Sequence, residues 1–199
     1  MRFNVNPNRM ELLRLRKRLI FAYRGHKLLK DKQEELTRHF LKLIDETKKL
    51  RKEVEEKYSK IEEIFIECQM TFSHEIIEYS ISLPEIKFSF ETYKLMNLTL
   101  PEFNIDVKKP EIIPYVPMAL NYVIQQFCEI FPLLVKLSEK EKSVELVAYE
   151  LQRTRRRVNA LEYILIPSLK ETIRFISARL TELERSNITR LIRLKELRV

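Results

Sequence analysis

Apolar residues recur at alternating steps of three and four from Leu12 through Leu15, Leu19, Ala22, His26, Leu29, Gln33, Leu36, Phe40, Leu43, Thr47, Leu50, Val54, Lys57, Ile61, Ile64 and Cys68. His26, Gln33, Thr47 and Lys57 interrupt the series. A mean repeat of 3.5 keeps one helical stripe in contact with a partner helix over many turns, which is the pattern of a coiled coil. At about 1.5 Å of rise per residue the stretch would be roughly 85 Å long. A second series follows near the other end: Val144, Val147, Leu151, Thr154, Val158, Leu161, Leu165, Leu169, Ile173, Ile176, Leu180, Leu183 and Asn187, then Leu191 and Leu194. Its successive steps of four at Leu165, Leu169 and Ile173 form a stutter beside Pro167, so a local irregularity is expected there.

The segment between the two series has a different grammar. Pro84, Pro101, Pro110, Pro114 and Pro117 exclude a continuous helix. Phe88 and Phe90, Leu98 and Leu100, and Phe103, Ile105 and Val107 alternate with polar residues as half-buried strands do. The pattern predicts a mainly α chain. Its N- and C-terminal helices form a long antiparallel two-helix coiled coil, and a small central lobe contains a β-hairpin. The expected boundaries are 1–79 for the N-terminal helix, 80–117 for the lobe with a loop through Lys108 to Pro117, and 118–199 for the C-terminal helix. The first helix is expected to begin near Asn6-Pro7. The second should kink or break near Pro132. Pairing between two chains competes with the intramolecular hairpin.

Composition narrows the function. One glycine, Gly25, in 199 residues leaves no GxxxxGK[ST] or GxGxxG phosphate cradle, so neither ATP hydrolysis by this chain nor a nucleotide cofactor is expected. His26, His39 and His74 lack metal-site spacing, and Cys68 and Cys128 stand apart, so no metal is expected and reduced thiols are favoured over a disulfide. No apolar run near the length of a transmembrane helix is evident, and the Arg-rich start lacks a signal peptide's apolar stretch, which predicts a soluble intracellular protein.

The net charge of +8 is unevenly distributed. Residues 1–32 carry ten Lys or Arg against two acids, residues 151–199 carry twelve against five, and the middle carries fifteen against twenty-two. Antiparallel pairing would bring the two basic ends together, a field that steers partners.

Two stretches carry a family resemblance. Asn6-Pro7-Asn8-Arg9-Met10-Glu11-Leu12-Leu13 with Arg24-Gly25-His26-Lys27-Leu28-Leu29-Lys30-Asp31-Lys32, and Thr154-Arg155-Arg156-Arg157-Val158-Asn159-Ala160-Leu161-Glu162-Tyr163 with Ile166-Pro167, resemble the two end motifs of the D subunit of V-type and A-type ATPases or ATP synthases. They stand in the family's order at opposite ends of the chain. The resemblance implies a central rotor shaft, itself non-catalytic, at the periphery of the membrane on the cytoplasmic side. The implied partners are the catalytic and nucleotide-binding subunits, the small F subunit, and a subunit linking the shaft to the membrane ring. Arg9, Arg155, Arg156 and Arg157 are the candidate partner contacts, while Gly25, His26, Asn159 and Leu161 are candidate packing residues of the shaft. Gly25 is expected at a close helix approach or slight bend. The alternatives are a non-rotary coiled-coil scaffold and a basic coiled coil bound to nucleic acid; against the second stands the absence of a groove-reading module or aromatic-interleaved patch.

Overall fold

In the computed structural model of the chain, Asn8 caps the first helix, α1 (Arg9–Thr71). Its side-chain oxygen accepts from the Met10 amide at 3.4 Å and its carbonyl accepts from the Leu12 amide at 3.0 Å. The helix thus starts two residues beyond Asn6-Pro7. The structure describes residues 5–80, 86–107 and 116–197, apart from the side chain of Tyr79. Five further elements follow α1: α2 (His74–Ser80), β1 (Ile86–Leu95), β2 (Leu98–Val107), α3 (Met118–Asn159) and α4 (Ile166–Glu196), with one π-helical turn (Ala160–Leu165) joining α3 to α4. The chain divides into two units, residues 1–36 with 151–199 and residues 37–150.

The expected unbroken helix to about Tyr79 is corrected by an interruption at Phe72 and Ser73. No proline or glycine causes it. The Ser73 carbonyl accepts from the amides of Ile76 and Ile77 and so starts a new helix, while Phe72 packs with Cys68, Ile77, Val116 and Leu120. Burial of that ring and a serine suited to a helix start outweigh continuation of α1. The expected loop from Lys108 falls on 108–115, outside the described residues.

In the unit of residues 37–150, α1 and α3 run antiparallel. Ile61 packs with Val123 and Ile130, and Cys68 with Leu120, so positions rise on one helix as they fall on the other. Lys140 Nζ donates to Glu46 at 3.0 Å, and that hydrogen bond holds the ammonium above its usual pKa. Cys68 and Cys128 are both free, and burial pushes both thiols up. The helix continues through Pro132, so of the expected kink or break the break does not occur. The helical stretch Met118–Glu196 is long and apolar enough, by length and composition, to cross a membrane, contrary to the expected lack of such a run. Leu120, Val123 and Ile130 at the start of α3 nevertheless pack in the helix core, an alternative use of the same composition.

The hairpin pairs β1 with β2 antiparallel, with Phe88 opposite Ile105 and Phe90 opposite Phe103. Leu100 and Pro101 are buried, and the Phe103 amide donates to Glu139 Oε2 on α3 at 3.0 Å, which ties the β2 strand to that helix. Strand β1 departs from the half-buried expectation: Phe88 and Phe90 are more than half exposed and lie against the Phe103 ring at centroid distances of 5.4 and 5.7 Å. The two-residue turn holds Met96 at φ 54°, a conformation that favours glycine.

In the unit of residues 1–36 and 151–199, Leu15, Ala22, Ile166, Leu169 and Ile176 form the core, flanked by Leu12, Leu19, Leu165, Ile173 and Leu180. The π-turn resolves the stutter. The Ile166 amide bonds to the Leu161 carbonyl, five residues back, so the turn absorbs an additional residue and resets the apolar phase. Pro167 follows at the second position of α4, immediately after the wider π-turn.

Of the first seam, every position from Leu12 to Cys68 is buried or half-buried except Lys57, whose ammonium reaches Glu53 at 2.8 Å instead. The second seam differs more. Ser143, Ser168 and Thr172 are buried although the pattern did not place them, and Leu183, Leu191 and Leu194 are exposed.

Two substitutions test this description. Ser143 Oγ is buried without a hydrogen-bond partner, the one such side-chain atom among the described residues, so Ser143→Ala should stabilise the chain by about 1 kcal/mol in a urea titration. Met96→Gly relieves the left-handed turn and should add about 1 kcal/mol, read as a higher midpoint of thermal unfolding.

Candidate functional site

The paired helix ends in the unit of residues 1–36 and 151–199 bring the candidate contacts together. This unit carries twenty-two Lys or Arg against nine Asp or Glu, a net charge of +13. Arg9 pairs with Glu184 across the α1–α4 interface, and both side chains remain more than half exposed. The Lys170 ammonium lies 5.4 Å from the centre of the Tyr23 ring. His26 Nε2 stands 3.4 Å from Glu162 Oε2, tying α1 to the π-turn. Exposed pairs of this kind contribute about 0–1 kcal/mol each, so the apolar seam holds the helices and the charges decorate it.

Arg155, Arg156 and Arg157 sit between the buried Thr154 and Val158, and consecutive residues turn by about 100° around a helix, so all three fall on the outer side. All are exposed, and no ion pair engages them among the described residues. Each is therefore open to a partner.

The packing candidates divide. Leu161 and His26 are half-buried. Asn159 is exposed, which corrects its assignment to packing: Val158 takes the seam position and Asn159 turns outward as the π-turn begins. Gly25 is half-buried, yet a Cβ built on it would meet nothing within 4 Å, so no close approach within this chain requires glycine there. Of the partners Glu162, Glu184 and Lys170, the first entered the sequence reading only as part of the second motif, and the other two did not enter it; these pairings appear once the antiparallel register is known.

Among the described residues no helix lies opposite α4 beyond Glu184. Every residue in 185–197 is exposed, including the apolar Ile188, Leu191, Ile192, Leu194 and Leu197. Among the described residues no group of three or more His, Cys, Asp or Glu is arranged to hold a metal.

A family model described as the ATP synthase D subunit matches residues 11–196. The chain belongs to that family. Its similarity to curated relatives extends over nearly the full length of each. The V-type ATP synthase D subunit of Clostridium botulinum (strain Langeland) is 42% identical over 207 aligned positions, covering 99% of this chain and 96% of the relative. That of Clostridium novyi is 44% identical over 204, covering 98% and 94%, and that of Acetivibrio thermocellus 42% identical over 202, covering 97% and 91%. As a member of the D-subunit family, the chain is a component of a rotary ATP synthase or ATPase complex.

Gly25 gives this site its sharpest test. Gly25→Ala should stabilise the isolated chain by about 1 kcal/mol, since helix propensity improves and the added methyl meets open space. Urea unfolding measures this; destabilisation would show a close contact at Gly25 in the folded chain.

Proposed function

We propose that this protein is the non-catalytic central shaft of its complex and transmits torque between the catalytic ring and the membrane ion-translocating ring. ATP synthesis or hydrolysis is thereby coupled to the transport of protons or sodium ions. The supporting observation is the helix end 185–197, which outlasts its partner helix and presents five large apolar side chains to solvent. An exposed stripe of that kind is costly unless another surface covers it. Insertion into a ring of catalytic and nucleotide-binding subunits would cover it on all sides. The small F subunit lies alongside the shaft, and a further subunit joins it to the membrane ring, so the chain is peripheral to the membrane on the cytoplasmic side. Exposed Arg155, Arg156 and Arg157, together with Arg9, supply polar contacts to these neighbours.

Torque needs two properties. The packed α1–α4 seam resists separation of the two helices, because each buried Leu or Ile contributes about 1.5–3 kcal/mol. The surface must also be asymmetric, since a shaft that touched every catalytic interface equally would shift none of them. The cationic outer faces and the irregularity at the π-turn provide that asymmetry.

Deleting residues 188–199 tests the proposal. The retained core includes Leu15, Leu169 and Ile176, so circular dichroism and the unfolding midpoint of the isolated protein should change little. ATP-driven ion transport by the reconstituted complex should fall about tenfold, equivalent to ~1.4 kcal/mol of lost coupling. Unchanged transport would contradict tip insertion, and absence of the catalytic subunits from material purified through this chain from native membranes would contradict the shaft itself.

A further inference from the structure

The hairpin leaves one strand edge open. Pro101 has no N–H to give β1, and the Phe103 amide is committed to Glu139 on α3, so these β2 residues turn their main-chain groups away from β1. The residues opposite them, Thr92 and Phe90, and by the same alternation Phe88 and Ile86, therefore direct their own N–H and C=O groups to the outer edge of the sheet. All of residues 86–92 are exposed, and among the described residues no further strand joins the sheet. Strand β1 has no proline and no bulge to blunt that edge, and Phe88 and Phe90 stand on its face more than half exposed.

We infer that this edge is a self-association site, at which two free copies of the chain pair β1 against β1, antiparallel about a two-fold axis at Ser89, in one four-stranded sheet. This goes beyond the shaft reading and does not depend on it. Such an axis keeps like faces together only where it passes through a residue, because side chains alternate along a strand. Centred on Ser89, it sets Lys87 opposite Glu91 of the second copy at both ends of the pair, and Phe88 opposite Phe90. Centring on Lys87 or Glu91 would set like charges together, and centring on Phe88 or Phe90 would leave Lys87 facing Ser89 or Tyr93. In the Ser89 register the facing pairs Phe88 with Phe90 and Ile86 with Thr92 are those whose main-chain groups point outward, so each exchanges two N–H to C=O bonds. The pairing also offsets a defect of the single hairpin, where Glu91 stands opposite Glu102, by bringing a lysine to the other side of Glu91. A two-stranded hairpin is marginal in water, and two added strands support it while the exposed rings cover one another. Another extended segment would need an acid and a base four residues apart with aromatic residues between them to match as well; this strand carries that arrangement itself.

Sedimentation velocity of the full-length chain between about 1 and 100 µM tests the pairing, since a contact smaller than a standard interface associates in that range. The wild-type chain should pass from monomer to dimer across it. Glu91→Lys sets lysine against lysine at both ends of the pair and should weaken association about tenfold, and Lys87→Glu should do the same with acids. The double exchange Lys87→Glu, Glu91→Lys should return association close to the wild-type level. Phe88→Pro removes an outward N–H while leaving the bonds of β1 to β2 in place, and it should abolish the dimer. Circular dichroism and the unfolding midpoint report whether each variant folds, and if Phe88→Pro does not, the charge variants decide alone. A wild-type chain that stays monomeric throughout overturns the proposal. Association that survives Phe88→Pro in a folded chain, or that the double exchange fails to restore, places the contact on another surface such as the exposed helix end 185–197, and overturns it equally; neither result bears on the shaft.

Discussion

Apolar contact along the antiparallel seam is the constraint on which everything else in this molecule depends. Long helices in water gain most of their stability from packing one face, and propensity contributes less. Here that face includes Leu15, Ala22, Leu169 and Ile176 in one unit and Ile61, Cys68, Leu120 and Val123 in the other. Each seam residue commits its neighbours on the helix surface to solvent or to partners. The outward placement of Arg155 to Arg157 follows from the burial of Thr154 and Val158 on either side of them.

Keeping one seam in contact over such lengths requires local corrections of phase, and the structure makes one where the sequence carries a stutter. The π-turn Ala160–Leu165 takes up a residue, restores Ile166 and Leu169 to the interface and is followed at once by Pro167. Tyr163 and Ile164 on the turn are exposed. Because surface ion pairs add little to stability, the charge distribution is free to serve recognition, and the concentration of positive charge in the unit that holds both chain ends is explained by neighbours more readily than by folding.

Much of this was legible in the sequence because a 3.5-residue repeat maps directly onto burial. Leu15, Ala22, Leu36, Val54, Ile61 and Cys68 were marked by spacing and are buried. What spacing could not mark was set by tertiary context. Ser143, Ser168 and Thr172 look like surface residues by type, yet lie inside. The interruption at Phe72 and Ser73 has no proline or glycine to announce it and is decided by where Phe72 packs. Gly25 invited a close-approach reading that the open space around it does not support. The open edge of β1 is defined only once the hairpin register is fixed and the Phe103 amide is tied to Glu139. The family motifs at the two chain ends identified the protein's relatives, but they contain no residue of the hairpin.

Rotation is the central claim, and it can be watched. With the catalytic ring immobilised, a bead or gold probe attached at the exposed hairpin turn, through a cysteine replacing Met96 with Cys68 and Cys128 removed, reports the motion of this protein during ATP hydrolysis. The account predicts unidirectional, ATP-dependent rotation of the probe relative to the ring. A probe that stays fixed while ATP is hydrolysed at the normal rate would contradict it.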